Sequence, residues 1–332
     1  LSGGAAVFDT AGAVNVGLGG TVQLLANETV SSYAGAGDNV GTNDSTLALG
    51  AFTLTTTAGA AIANVTTSGG SIVAGTSITD ADDDNNVTGT SIVLQAATGV
   101  GTSADPIETT LANVEASGGS GGVFLANTGN LIIGGVSALV GVSATASDVN
   151  VSATGSLTVN ETVSTTTSGN VTLSTIDAAG VGQDIVLTAA VNVNSAGAIT
   201  LNAGDNATLA GNLVSGTTTT VNIDVGAADA GVGGVFALTG TITAPSGAVL
   251  NGNGDNDTFN LAPQANAAVT VNGLAPHMTL TGDILNLDLT ATTSRQLTLG
   301  SIGSGVWTLN SPLKSVTYTS IEEMNANAPF HL

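Results

Sequence analysis

Six oxygen-bearing side chains crowd into one short stretch of the chain: Asp80, Asp82, Asp83 and Asp84, followed directly by Asn85 and Asn86. Calcium takes about six to eight oxygen ligands, often from closely spaced Asp and Asn on a turn, so this is the densest candidate cation site. The stretch lacks the central Gly and closing Glu of an EF-hand loop. The alternative is a solvated acidic loop. A second cluster, Asp255, Asn256 and Asp257, lies in a Gly- and Asn-rich turn. It has too few ligands to enclose an ion, so a neighbouring loop or subunit would have to complete it. Ca2+ is the one cofactor these groups suggest.

Modification is a further possibility. Asn-X-Ser/Thr sequons begin at Asn27, Asn43, Asn64, Asn86, Asn150, Asn160, Asn170, Asn206 and Asn256. Their use requires export and the matching machinery. Asn150 and Asn170 fall within strand patterns. The candidate glycan sites are Asn27, Asn43, Asn64, Asn86, Asn206 and Asn256, and Thr217 to Thr220 could carry O-linked sugar.

Catalytic sets are sparse. His277 lies in a Pro-His-Met turn and His331 near the C-terminal end, and neither has a local metal-ligand partner. A Ser-His-Asp triad needs a positioned His. Sugar hydrolysis needs paired carboxylates in a cleft and aromatic platforms, and Trp307, Tyr33 and Tyr318 are scattered. A lyase acting on acidic sugar would have only Arg295 and Lys314. Gly118-Gly119-Ser120-Gly121-Gly122 lacks the Lys and helix of a phosphate loop. No catalytic residue is assigned, and the expectation is a non-enzyme.

The frame for these side chains follows from composition. Of 332 residues, 42% are hydrophobic but 3% aromatic, so the apolar content is Ala, Val, Leu and Ile. Small and β-branched residues suit closely stacked strands. The chain carries 24 Asp+Glu against 2 Lys+Arg, a net charge of −22. Such a polyanion repels nucleic acid and anionic lipid, while divalent cations are natural partners. There is no Cys, hence no disulfide. Leu1-Ser2-Gly3-Gly4 has no basic or apolar leader character. The uncharged run from Gly129 to Ser147 is broken by Gly134, Gly135 and Gly141, which favours buried strands over a membrane span.

Apolar residues alternate with polar ones almost everywhere, in runs of four to six bounded by Gly, Asn, Asp or Ser. The segments GSLTVNETV, GNVTLSTID, QDIVLTAAV and GAITLNAGD begin at 155, 169, 183 and 197, a repeated step of 14 residues. Self-similar strand–turn units signal a solenoid. A β-sandwich of antiparallel hairpins shares the alternation but usually wants larger side chains in its core. Composition changes near residue 245. Five of the six Pro, both His, both Met and the only Trp, Lys and Arg lie at or beyond it. This predicts a β-solenoid over 1–236 and a smaller β module over 237–332 that caps or connects it.

The stretch from Ile107 to Ala116, with Gly121 to Gly135, resembles the filamentous-haemagglutinin-like repeats of large bacterial surface proteins, and Gly155 to Asn222 continues in that style. Gly252-Asn-Gly-Asp-Asn-Asp-Thr-Phe259 resembles a calcium-repeat segment of giant exported proteins, as in planctomycetes and cyanobacteria. Val271 to Pro276, Gly282 to Leu289 and Val316 to Glu322 resemble the segments that follow it. The resemblance covers about two thirds of the chain and implies a right-handed parallel β-helix, export and a surface role, with no defined ligand.

The expected function is a structural subunit of an extracellular filament, sheath or surface layer. Its expected partners are copies of itself stacked head to tail, with divalent cations or glycans as further candidates and neither nucleic acid nor membrane insertion. The alternative is a stalk segment of a large cell-surface adhesin. A third option, an ice- or mineral-binding face, would need regular Thr-X-Thr ranks. Thr53-Leu54-Thr55 and Thr217 to Thr220 are too irregular along the chain to display them.

Overall fold

The computed structural model describes residues 15–18, 22–24, 47–56, 59–62, 65–80, 85–180, 182–226, 232–274 and 282–327. Every regular element among them is a β-strand. The strands are short because Gly, Asn and Ser interrupt the alternation every few residues. They pair almost wholly in parallel, as the solenoid reading requires. Contacts divide the chain into two units, Leu1–Ala153 and Thr154–Leu332.

In the first unit, long strands stack directly on one another: Leu47–Thr56, Val65–Ala74, Val87–Ala96 and Ile107–Gly118. Leu54, Ile72, Leu94 and Ala116 fall in one register column. A second ladder joins Ala60–Ile62, Ser77–Asp80, Gly99–Val100 and Gly122–Asn127. In the next coil, Ile107–Gly118 is met by three shorter strands, Gly122–Asn127, Leu131–Ile133 and Val142–Ala144. The corner that separates the last two is held by buried Glu115. Its Oε1 accepts the N–H groups of Val136 at 2.7 Å and Ser137 at 2.9 Å.

The second unit has three faces per coil. The first stacks Leu157–Val159, Ile185–Leu187, Ala207–Leu209, Val235–Leu238, Thr258–Leu261, Ile284–Asp288 and Glu323–Asn327. The second stacks Val163–Thr165, Asn192–Ser195, Asn212–Ser215 and Ile242–Thr243, and continues as a single bridge from Thr243 to Asn266. The third stacks Val171–Thr175, Ile199–Asn202, Thr219–Asn222, Ala248–Asn251, Val269–Asn272 and Val316–Thr319.

The 14-residue step is therefore half a coil. Leu157 pairs with Ile185 on the first face and Val171 with Ile199 on the third, so each full coil there takes 28 residues. The repeat alternates between two faces, and this is why it reads as a unit along the chain. Later coils lose it as loops change length: Ile185 to Ala207 is 22 residues, and Ala207 to Phe236 is 29.

At the module boundary expected at residue 237 the strand stacking continues. Val235–Leu238 spans that position and pairs with strands on both sides. What the C-terminal residues add is a hairpin. Arg295–Leu299 pairs antiparallel with Gly305–Leu309, which in turn lies antiparallel along Val316–Thr319.

Most inward side chains are aliphatic and buried, with a few Thr and Ser among them and Tyr318 as a larger one. Phe236 stacks above Phe259, with ring centroids 6.4 Å apart and planes tilted by 42°. Tilted aromatic pairs at this distance are favourable beyond their buried area. Phe259→Ala should therefore cost about 3–5 kcal/mol in urea unfolding. Thr208→Ala, at an exposed outward position, should stay within about 0.5 kcal/mol.

Candidate functional site

Each coil of the second unit turns a corner before its first-face strand. The residue two places before the first inward side chain recurs as an acid: Asp205 before Ala207, Asp257 before Phe259, Asp283 before Leu285, and Glu322 before Met324. At such a corner the backbone N–H points toward the next coil and meets no carbonyl, so a side-chain acceptor must satisfy it.

The hydrogen bonds follow that logic. Asp205 Oδ2 accepts the N–H groups of Gly182 at 2.7 Å and Gln183 at 3.3 Å. Asp257 Oδ1 accepts Gly234 N–H at 2.7 Å, and its Oδ2 accepts Asn253 N–H at 3.0 Å. Asp283 Oδ1 accepts Asp257 N–H at 2.8 Å, and Glu322 Oε2 accepts Asp283 N–H at 2.9 Å. Each acid thus binds the main chain of its counterpart one coil earlier. Asp224 enters the same corner from the third-face side and is also buried.

Two glycines make room for this column. A Cβ on Gly252 would come within 2.0 Å of Asp257 Oδ2, and one on Gly273 within 2.1 Å of Asp283 Oδ2. No side chain fits at either position while the carboxylate stays where it is.

Asp257 and Asp283 are both 0% exposed. Burial, reinforced by repulsion from Asp224 and Asp283, pushes the Asp257 carboxyl up to about 7, against the two backbone N–H bonds that favour its charged form. Burial also pushes Asp283 up to about 7, with Glu322 and Asp224 adding repulsion. Asp283 Oδ2 and Asp205 Oδ1 are buried without a hydrogen-bond partner. Chemically the column can take up protons near neutral pH. It offers no substrate a place to bind, because its central carboxyls are closed to solvent.

The candidate residues from the sequence fall elsewhere or serve other ends. Asp82, Asp83 and Asp84 lie outside the described residues. Asp80 is half-buried, and its Oδ1 accepts a bond from the Asn86 amide. It also faces Glu108, whose carboxyl is raised first by burial and then by Asp80. The turn holding Asp255 folds so that Asp257 is buried. Each Asp257 oxygen accepts a backbone N–H, and the bond to Gly234 ties two coils together. Among the described residues, no group of three or more His, Cys, Asp or Glu is arranged to hold a metal ion.

The glycan candidates are similarly sorted. Asn27, Asn43 and Asn64 lie outside the described residues. Asn86 is 0% exposed; its Nδ2 donates to Ile62 O and Asp80 Oδ1, and its Oδ1 accepts Glu108 N–H. Both amide hydrogens are committed inside the coil, an arrangement that disfavours a glycan at Asn86. Asn206 donates to Asp184 Oδ1 and accepts Val235 N–H, bridging neighbouring coils. Asn256 is exposed on its turn.

Sequence reasoning missed Asp205, Asp224, Asp283 and Glu322. For Asp205, Asp283 and Glu322 the signal was present: an acid, one intervening residue, then an apolar alternation. It reads as an ordinary turn acid until register aligns these three with Asp257.

Fold and corner together define a parallel β-solenoid with a buried carboxylate column. Comparison with protein-family models, with curated proteins and with solved structures gave no match.

The raised carboxyls set a pH dependence. In the unfolded chain Asp titrates near its ordinary value of 3.8, and in the folded chain Asp257 and Asp283 titrate at about 7. Between these values the folded state binds more protons, so stability falls as pH rises. Chemical unfolding should therefore show the midpoint dropping from pH 4 to pH 8. Asp283→Asn keeps an oxygen for Asp257 N–H and removes the charge. It should flatten that slope and raise the midpoint at pH 8. An independent check concerns sugar: in a glycosylating host, mass spectrometry should find Asn256 occupied and Asn86 and Asn206 bare.

Proposed function

We propose that this chain is a non-catalytic structural segment of an extracellular filament, sheath or surface layer. The observation that carries the reading is the unbroken register of the second unit. Strand after strand repeats on three faces with aliphatic side chains inside. Stacking of this kind gives a long, stiff array of backbone hydrogen bonds in which each coil supports its neighbours. The buried carboxyls tie coils together and are inaccessible to a substrate. The resemblance to haemagglutinin-like repeats of bacterial surface proteins supports location at the cell surface.

In the filament reading the partner is another copy of the chain, joined through strand edges. One such edge is Glu323–Asn327, which pairs with Ile284–Asp288 and alternates exposed and half-buried residues. Unpaired strand edges template further pairing. Divalent cations would screen the net charge of −22 as copies approach.

A second reading, a stalk segment of a large adhesin, is favoured by the antiparallel hairpin. Gly305–Leu309 runs along Val316–Thr319 and occupies the edge that a stacking copy would need on the third face. In that reading the hairpin ends the stack and the ligand is bound by another part of the protein.

Electron microscopy of the purified chain at high concentration, with and without Ca2+, separates these readings. End-to-end fibres that lengthen with concentration are expected for a filament subunit. Uniform short particles under both conditions would remove the filament and leave the stalk. Hydrolysis or elimination of a polysaccharide by the purified chain would sink both.

A further inference from the structure

The third face of the second unit carries two ranks of outward side chains. Register places Thr172, Thr200, Thr220, Val249, Thr270 and Thr317 in one column. The same pairings place Ser174, Asn202, Asn222, Asn251, Asn272 and Thr319 in the next. Every position of both ranks is uncharged in a chain of net charge −22. The first face has an uncharged outward rank of its own, running through Thr208, Asn260 and Asn286, but Asp288 and Glu323 are exposed at the ends of its strands.

The two ranks differ in their hydrogen bonding. The amides are joined to one another: Asn222 donates to Asn202, Asn251 to Asn222 and Asn272 to Asn251, at 2.7–2.8 Å. Thr319 Oγ1 closes the series by donating to Asn272 at 2.8 Å. This ladder fixes the spacing of its rank. In the neighbouring rank the five Thr are half-buried, and none of their hydroxyls is bonded to a protein group among the described residues. Val249 keeps the Thr shape and methyl group where the hydroxyl is missing.

The result is a two-dimensional lattice. Rungs lie about 4.8 Å apart across the strands and the ranks about 7 Å apart along them. Methyl and hydroxyl groups repeat on that lattice with fixed spacing. Discrete small ligands are held in concave sites by a few converging polar groups, and a repeating face has none of these. Sugar rings stack on aromatic platforms, and no outward position in either rank is aromatic. A second copy is disfavoured by size. Six rungs give on the order of 350 Å2 at strand spacing, against about 800 Å2 per partner in a stable complex.

The geometry points to an ordered water lattice, the surface of an ice crystal, as the ligand of this face. Such a ligand is uncharged, repeats in two dimensions and both donates and accepts hydrogen bonds at every point. The methyl groups order the water between rungs and the hydroxyls anchor it. The assignment is independent of whether the chain is a filament subunit or a stalk.

The test uses the full chain in ice-recrystallisation and ice-adsorption assays. Thr220→Tyr places bulk in the middle of the array, and Thr208→Tyr places it at an exposed outward position on the first face as a control. The expected result is that the unaltered chain and Thr208→Tyr suppress recrystallisation, while Thr220→Tyr loses at least tenfold in potency with an unchanged circular dichroism spectrum. Should Thr220→Tyr fail to fold, Thr270→Lys is read in its place, with the same expected loss. Failure of the unaltered chain to adsorb to ice overturns the assignment, as does equal potency of the face variants. Adsorption to insoluble cellulose or chitin in place of ice, or dimerisation abolished by Thr220→Tyr, would also overturn it by naming a different occupant.

Discussion

Parallel register between coils is the constraint on which everything else in this protein rests. Each coil offers a backbone edge to the next, and pairing is satisfied only if equivalent residues lie above one another at about 4.8 Å. Every side chain then has its own counterpart as nearest neighbour. Stacking like on like is harmless for Leu, Val and Ile, which fill the interior columns. It is favourable for Asn, whose amide both donates and accepts, and Asn202, Asn222, Asn251 and Asn272 exploit this. It is unfavourable for carboxylates, which repel.

The carboxylate column shows how that conflict is resolved. Corners of a coil leave N–H groups aimed along the stack, and an unsatisfied buried donor costs about 1–3 kcal/mol. Asp205, Asp257, Asp283 and Glu322 satisfy them one after another. The cost is a line of like charges away from water, which the chain relieves by holding protons on Asp257 and Asp283 at pH values where an exposed Asp has lost its own. Gly252 and Gly273 are part of the same arrangement, since any larger residue would displace the carboxyls. The same trade appears in milder form at Asp80, Asn86 and Glu108 in the first unit.

Charge and polarity are thus sorted by position within the coil. Acids gather at corners and at strand ends such as Asp288 and Glu323, while the outward ranks of the third face carry only neutral hydroxyls, amides and methyls. The hairpin of Arg295–Leu299 and Gly305–Leu309 lies antiparallel along the third-face strand Val316–Thr319, while the first-face ladder runs on through Glu323–Asn327.

The sequence by itself determined that this chain is all-β, since alternation and turn residues are local properties that each strand carries alone. It favoured a solenoid over a β-sandwich, through small side chains and the 14-residue step, and parallel pairing between coils decided the matter. It did not determine the coil. Leu157, Val171, Ile185 and Ile199 look like one repeat, yet they belong to two faces. It also marked a boundary near residue 237 where the ladders pass through a single strand. Asp257 looked like a cation ligand because adjacent acids suggest shared ligation, but the direction of a side chain at a corner is set by the coil beneath it. The Thr rank was invisible for a related reason. Its members are 28, 20, 29, 21 and 47 residues apart in the chain. Loops of unequal length hide a regularity that only backbone pairing between coils restores.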